Sequence, residues 1–270
     1  MAVRPAAVAG MFYPDDPREL RGEVDRLLDA PAASRGPTGI PKALIVPHAG
    51  YVYSGPVAAS AYARLAPIAD AVRRVVLLGP AHRVGFDGIA LPGVTGFATP
   101  LGVVPIDAEA AAIVRRLPQV RDHALAHVDE HSLEVELPFL QRTLGEFKLL
   151  PLLVGHASAA LVADVLDLLW GGPETLIVVS SDLSHYHAYA DARLRDRATA
   201  EQILAGEPTL DHEQACGATP VNGLLRVAHT RGLGPTLLDL RNSGDTAGDR
   251  RRVVGYAAFQ FAEERRNAAH

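Results

Sequence analysis

From Lys42 onward, short continuous runs of Val, Ile and Leu alternate with Ala-rich segments whose apolar residues recur every three or four positions. Uninterrupted apolar runs of strand length read as strands buried on both faces, and the three- to four-residue spacing reads as helices with one apolar stripe. The alternation predicts a mostly parallel sheet covered by helices on both sides. Strands are expected at Ala43 to Val46, Val75 to Leu78, Leu149 to Val154 and Leu176 to Ser180. Helices are expected at Pro56 to Leu65, Ala108 to Leu117, Leu133 to Leu144, Ala159 to Leu169 and Pro220 to Thr230. Upstream, Asp16 can cap a helix over Asp15 to Leu28, with Pro17 at the first helical position and Leu20, Val24, Leu27 and Leu28 as its stripe. Thr236 to Arg241 and Val253 to Phe261 read as a terminal antiparallel hairpin or sheet edge, joined by a polar, Gly- and Asp-rich loop expected to be mobile. Pro31 to Pro41 reads as a surface connector. The expectation is one three-layer α/β/α domain over residues 1–270, with an N-terminal arm (1–14) and a frayed tail (263–270).

Composition narrows the function classes. With 270 residues and 48% hydrophobic content the chain can bury one large core. A net charge of -5 with scattered Lys and Arg argues against nucleic acid. The single cysteine, Cys216, excludes an intramolecular disulfide and is compatible with a reducing cytoplasm. No signal-peptide pattern and no apolar run near ~18 residues occurs, so a cytoplasmic protein with no membrane span is expected. G-x-G-x-x-G, G-x-x-x-x-G-K-[ST] and G-x-S-x-G strings are absent, which removes the simplest dinucleotide, P-loop and serine-hydrolase readings.

Chemistry-bearing side chains gather where the apolar runs stop. His48 follows the run ending at Val46, and His82 follows Val75 to Leu78 through a Gly79-Pro80 turn. If those strands are adjacent, two imidazoles reach one ion, and imidazole suits iron, copper, zinc and nickel alike. The run from Ile177 ends in Ser180-Ser181-Asp182-Leu183-Ser184-His185; Asp182 can orient an imidazole or cap a helix near Leu183, and His185 can serve as a general base. Cys216 precedes a helix, a position that favours the thiolate. His127 to His131 fits the H-x-x-E-H string of inverted zinc peptidases, but Ser132 as a cap and Pro138 near a helix start put the pair in a loop. His131 and Glu130 then serve as pocket groups.

Pro47-His48-Ala49-Gly50-Tyr51, Gly79-Pro80-Ala81-His82, Glu130-His131-Ser132-Leu133-Glu134, Ser180-Ser181-Asp182-Leu183-Ser184-His185 and Cys216-Gly217 together resemble the MEMO family, whose bacterial and archaeal members are called AmmeMemoRadiSam system protein B. The likeness runs from Gly10 to the final strands. It implies a fold similar to class III extradiol dioxygenases, whose iron is held by two histidines and a carboxylate. By motif, His48, His82 and Cys216 would hold a metal, with a thiolate in place of the carboxylate. Asp182 and His185 would line the pocket, His185 in the place of the dioxygenase base, and His131 joins them as a catalytic candidate. Iron or copper fits a redox role, and zinc is compatible with the same donors. The family name implies an AMMECR1-like protein and a radical SAM enzyme as partners. The expectation is a metal-dependent redox or oxygenase-like protein acting on a small molecule or peptide. The alternatives are a peptide- or protein-binding module and a zinc-dependent hydrolase working through His127, Glu130 and His131 or through the same pocket with zinc.

Overall fold

The computed structural model describes residues 2–32 and 39–263. The first half contains β1 (Val3–Arg4), α1 (Pro17–Ala32), β2 (Ala43–Val46), α2 (Tyr51–Tyr62), β3 (Arg74–Pro80), β4 (Ile89–Leu91), β5 (Gly96–Thr99), β6 (Gly102–Pro105), α3 (Ala108–Val114), β7 (Val120–Asp122) and α4 (Ala124–Val128). The second half contains α5 (Leu137–Thr143), β8 (Lys148–Val154), α6 (Ala159–Leu169), β9 (Thr175–Ser180), β10 (His185–His187), α7 (Tyr189–Leu204), α8 (Ala218–Thr230), β11 (Leu233–Asn242) and β12 (Val253–Glu263).

The four expected apolar runs form β2, β9, β3 and β8, side by side and parallel in that order. Side chains alternate across a strand, so each run feeds two cores. Leu44, Val46, Val75, Leu77, Leu176 and Val178 pack on the α1, α2 and α5 side. Ile45, Val76, Leu78, Ile177 and Val179 pack on the α6 and α8 side. The chain is therefore an α/β protein with helices on both faces of a sheet whose centre is parallel. Antiparallel strands flank that centre: β12 pairs with β2, β11 and β10 pair with β12, and β4 pairs with β8. A separate three-stranded sheet joins β1, β5 and β6. Among the described residues no helix is long and apolar enough to cross a membrane.

Several expectations shift. The helix expected from Pro56 begins at Tyr51, because Tyr51 N–H is taken up by the Phe12 carbonyl at 2.8 Å and Gly50 packs against the Phe12 backbone. No helix follows Asp182; β10 does, since Asp182 and the Leu183 N–H are engaged by other strands' backbones. The loop after β11 opens with a capping box between Asn242 and Asp245, and Tyr189 Oη donates to Asp245 at 2.5 Å. Residues 33–38 of the expected connector and 264–270 of the expected tail lie outside the described residues.

Candidate metal centre

Parallel strands end at one edge of a sheet, and loops leaving that edge can converge on one point. His48 stands two residues beyond β2 and is 1% exposed. Its N–H donates to Asp182 Oδ1 at 2.8 Å, and its Nδ1 lies 2.5 Å from Oγ of Ser180, the last residue of β9. Because β9 lies between β2 and β3, Ser180 and Asp182 brace the site from its middle.

His82, beyond β3, reaches solvent and is fixed by Glu130. One carboxylate oxygen accepts from the His82 N–H at 2.6 Å, and the other lies 2.8 Å from His82 Nδ1 while accepting from the His131 and Ser132 N–H groups, both at 3.0 Å. Burial pushes the Glu130 carboxyl upward, but the hydrogen bonds and charge of His82 outweigh it and bring it down to about 2. Ionised Glu130 therefore holds a proton on His82 Nδ1 and leaves Nε2 as the ligating nitrogen, a common arrangement behind metal-binding histidines.

His131 was expected to be catalytic, and it stacks on His82 with ring centres 4.7 Å apart. The ligand-capable nitrogens of His48, His82 and His131 lie within 4.8 Å of one another. Burial, then the neighbouring imidazoles, holds His48 well below the usual histidine range, and burial brings His131 down to about 4. His48 and His131 are thus uncharged acceptors at neutral pH. His131 Nδ1 is buried and makes no well-aligned hydrogen bond, lying 3.3 Å from Glu130 Oε1.

Cys216 is placed by its loop against β9. Its N–H donates to the Asp182 carbonyl at 3.3 Å, and Gly217 N–H donates to Ser181 Oγ at 2.9 Å. Sγ lies 3.3 Å from His48 Nε2. Two donors on one tetrahedral ion, at ordinary metal–nitrogen and metal–sulfur lengths, stand roughly 3.5 Å apart. The His48–Cys216 spacing matches that geometry, while the group whose nitrogens could hold one ion is His48, His82 and His131, with Cys216 beside His48. The helix start was expected to favour the thiolate, but burial and the Asp182 charge push the thiol up to about 12. Desolvation outweighs the weak field of the helix terminus here.

Asp182, raised by burial to about 7, and His185, lowered by burial, line a cavity of about 760 Å³ with His131, Phe12, Tyr53 and Tyr256. Tyr186, with φ of 62°, projects at its mouth under Arg252, whose guanidinium carbon is 5.0 Å from the ring centre. The peptidase arrangement is not assembled. His127 turns away, with Nε2 3.0 Å from the Ala90 carbonyl, and Glu130 is committed to His82. Ser132, expected to cap a helix, instead donates to the Pro80 carbonyl at 2.9 Å. Sequence reasoning missed Glu134 and Glu136, both fully buried. Glu134 anchors the N-terminal arm, accepting from Arg4, Ala7, Val8 and Tyr13. Their only signal was a pair of carboxylates inside an apolar segment.

A family model described as Memo-like protein matches residues 4–260. A MEMO1 family protein of Aquifex aeolicus is 37% identical over 279 residues, covering 97% of this chain and 100% of that protein. One from Methanopyrus kandleri is 36% identical over 280 residues, covering 96% and 98%. An uncharacterized Escherichia coli K12 protein of known structure aligns over 81% of this chain and 98% of its own, with a TM-score of 0.48 and 13% identity.

Proposed function

The chain belongs to the Memo family, and from that premise we propose that it is a metal-dependent redox protein, oxygenase-like in chemistry, whose ion is held by His48, His82 and Cys216 with His131 beside them. The observation that supports the reading is the convergence of three imidazoles, one of them lining a cavity, with a thiol 3.3 Å from His48 Nε2. Iron or copper suits this donor set, and zinc is compatible with it. Such an ion supplies electron transfer and an electrophilic contact for a ligand atom. Everything else falls to the chain's own residues. Ser180 and Glu130 hold the rear nitrogens of His48 and His82, so both Nε2 atoms face one point. Asp182 ties the His48 backbone to β9. His185 lines the cavity as a neutral base able to take a proton from a bound molecule. Phe12, Tyr53 and Tyr256 wall the cavity and exclude water from a small molecule or peptide end seated there. In the same reading its partners are the AMMECR1-like protein and the radical SAM enzyme that the family name implies. The test is elemental analysis of anaerobically purified protein: near-stoichiometric iron or copper in the wild type, lost in His48→Ala and His82→Ala. Equal metal content in all three proteins overturns the proposal.

A further inference from the structure

Behind His48, away from the cavity, sits a carboxyl group with no cationic hydrogen-bond partner among the described residues. Glu136 is fully buried at the start of α5. Its Oε2 accepts from Tyr62 Oη at 2.8 Å, and its Oε1 lies 3.2 Å from Ser180 Oγ. That hydroxyl is also 2.5 Å from His48 Nδ1 and 2.7 Å from the Ser132 carbonyl oxygen. A serine hydroxyl has one hydrogen to give and two lone pairs to accept with. A carbonyl oxygen only accepts, so the hydrogen of Ser180 goes to Ser132. Both remaining neighbours must then donate to Ser180: His48 through Nδ1–H, and Glu136 through a carboxylic O–H. This is the one proton arrangement that satisfies all four groups, and it leaves the His48 Nε2 lone pair facing the metal position.

We infer that Glu136 is the proton store of the centre, neutral in the ion-free protein and ionised once a cation sits on His48. The inference rests on the metal-centre reading above. In the coupled event the Glu136 O–H bond breaks, its electron pair stays on the carboxylate, and the proton passes to a solvent base. The added positive charge on the imidazole is then offset through Ser180. The groups facing Glu136 agree with the neutral starting state: Tyr62 and Tyr51 from α2 are held un-ionised by burial, and Asp182 from the end of β9 opposes a second negative charge. Burial carries the Glu136 carboxyl up to about 8, against the opposing hydrogen bond donated by Tyr62. At neutral pH most of the molecules therefore hold this proton. Its role is a positioning one, exercised through Ser180 on His48.

The test uses the full, ion-free chain titrated with Zn²⁺, a redox-inert probe. Calorimetry in two buffers of different ionisation enthalpy counts the protons released per ion. At pH 7 the wild type should release close to one proton more than Glu136→Gln, and the difference should vanish by about pH 10, where the carboxyl is already ionised. Protons from Cys216 are common to both proteins and cancel. Should Glu136→Gln not fold, difference infrared spectroscopy of the wild type reads the same event as loss of a carboxylic-acid C=O band on Zn²⁺ binding. Binding with equal proton counts, or with that band unchanged, overturns the inference alone. Failure of the wild type to bind Zn²⁺ overturns both it and the metal-centre reading.

Discussion

Glu130→Gln separates orientation of the site from stability of the fold. The carboxylate accepts four N–H groups: His82 N–H on one oxygen, and His82 Nδ1–H, His131 N–H and Ser132 N–H on the other. A glutamine in the same rotamer keeps the three-donor oxygen but sets an NH2 against a backbone N–H, donor to donor. Losing one buried charged hydrogen bond and leaving a donor unmatched costs about 2–3 kcal/mol. For a chain of this size that lowers Tm by roughly 5–10 °C. The imidazole loses its ionised partner as well. Outer residues that fix a ligating histidine are worth roughly 10–100-fold in metal affinity, or about 1.4–2.8 kcal/mol. Thermal melting and a competition titration with Zn²⁺ read the two effects independently. The control is Asp107→Ala, at the opposite end of β3, where Asp107 caps α3 through Ala110 N–H and pairs with Arg74 at 2.6 Å. It should lower Tm and leave Zn²⁺ affinity unchanged. If Glu130→Gln binds Zn²⁺ as tightly as the wild type, Glu130 does not orient His82 and the reasoning is refuted.

Asp196 should make stability fall with pH. Oδ1 accepts from Ser184 N–H at 3.0 Å, Oδ2 is buried without a partner, and burial pushes the carboxyl from 3.8 up to about 6. The folded chain holds the proton more tightly than the unfolded one, so stability drops as pH rises through roughly 4 to 6, by up to about 3 kcal/mol. Denaturant unfolding of Asp196→Asn should lack that drop, and parallel pH profiles for the two proteins would exclude it. In Gly217→Ala the new methyl would stand 2.6 Å from Ser181 Cβ and 2.8 Å from the Ser180 carbonyl, forcing the Cys216 loop off β9. About 1–3 kcal/mol of stability and measurable Zn²⁺ affinity should go together; retention of both contradicts the packing. Leu77→Ala, at the fully buried centre of β3, should cost about 2–5 kcal/mol in urea unfolding, and a loss under 1 kcal/mol would contradict the core assignment.

The central strands were legible because their apolar runs stop sharply at Pro47, Gly79 and Ser180, and the side chains just beyond those stops are the ones that meet. Fully buried parallel strands leave that mark. The short strands β4 to β7 do not, since each is only three or four residues long and carries mixed side chains. Helix α7 was also missed. Its buried face is Ala192, Asp196, Thr199, Ala200 and Ile203, too small and polar to write an apolar stripe. Sequence likewise reports that Glu130, Glu134 and Glu136 carry carboxyl groups, but not that the fold closes over all three. His131 was legible as a pocket group. Its place among the converging nitrogens depends on Glu130 turning the loop back onto His82.

The central claim is that His48, His82 and Cys216 hold one redox-active ion. Spectroscopy of anaerobically purified protein, with metal content measured on the same sample, tests it most directly. The account predicts near-stoichiometric iron or copper and a thiolate charge-transfer band that disappears in Cys216→Ser and changes when oxygen is admitted. A protein that carries no iron or copper, and takes up none when either is supplied, contradicts it.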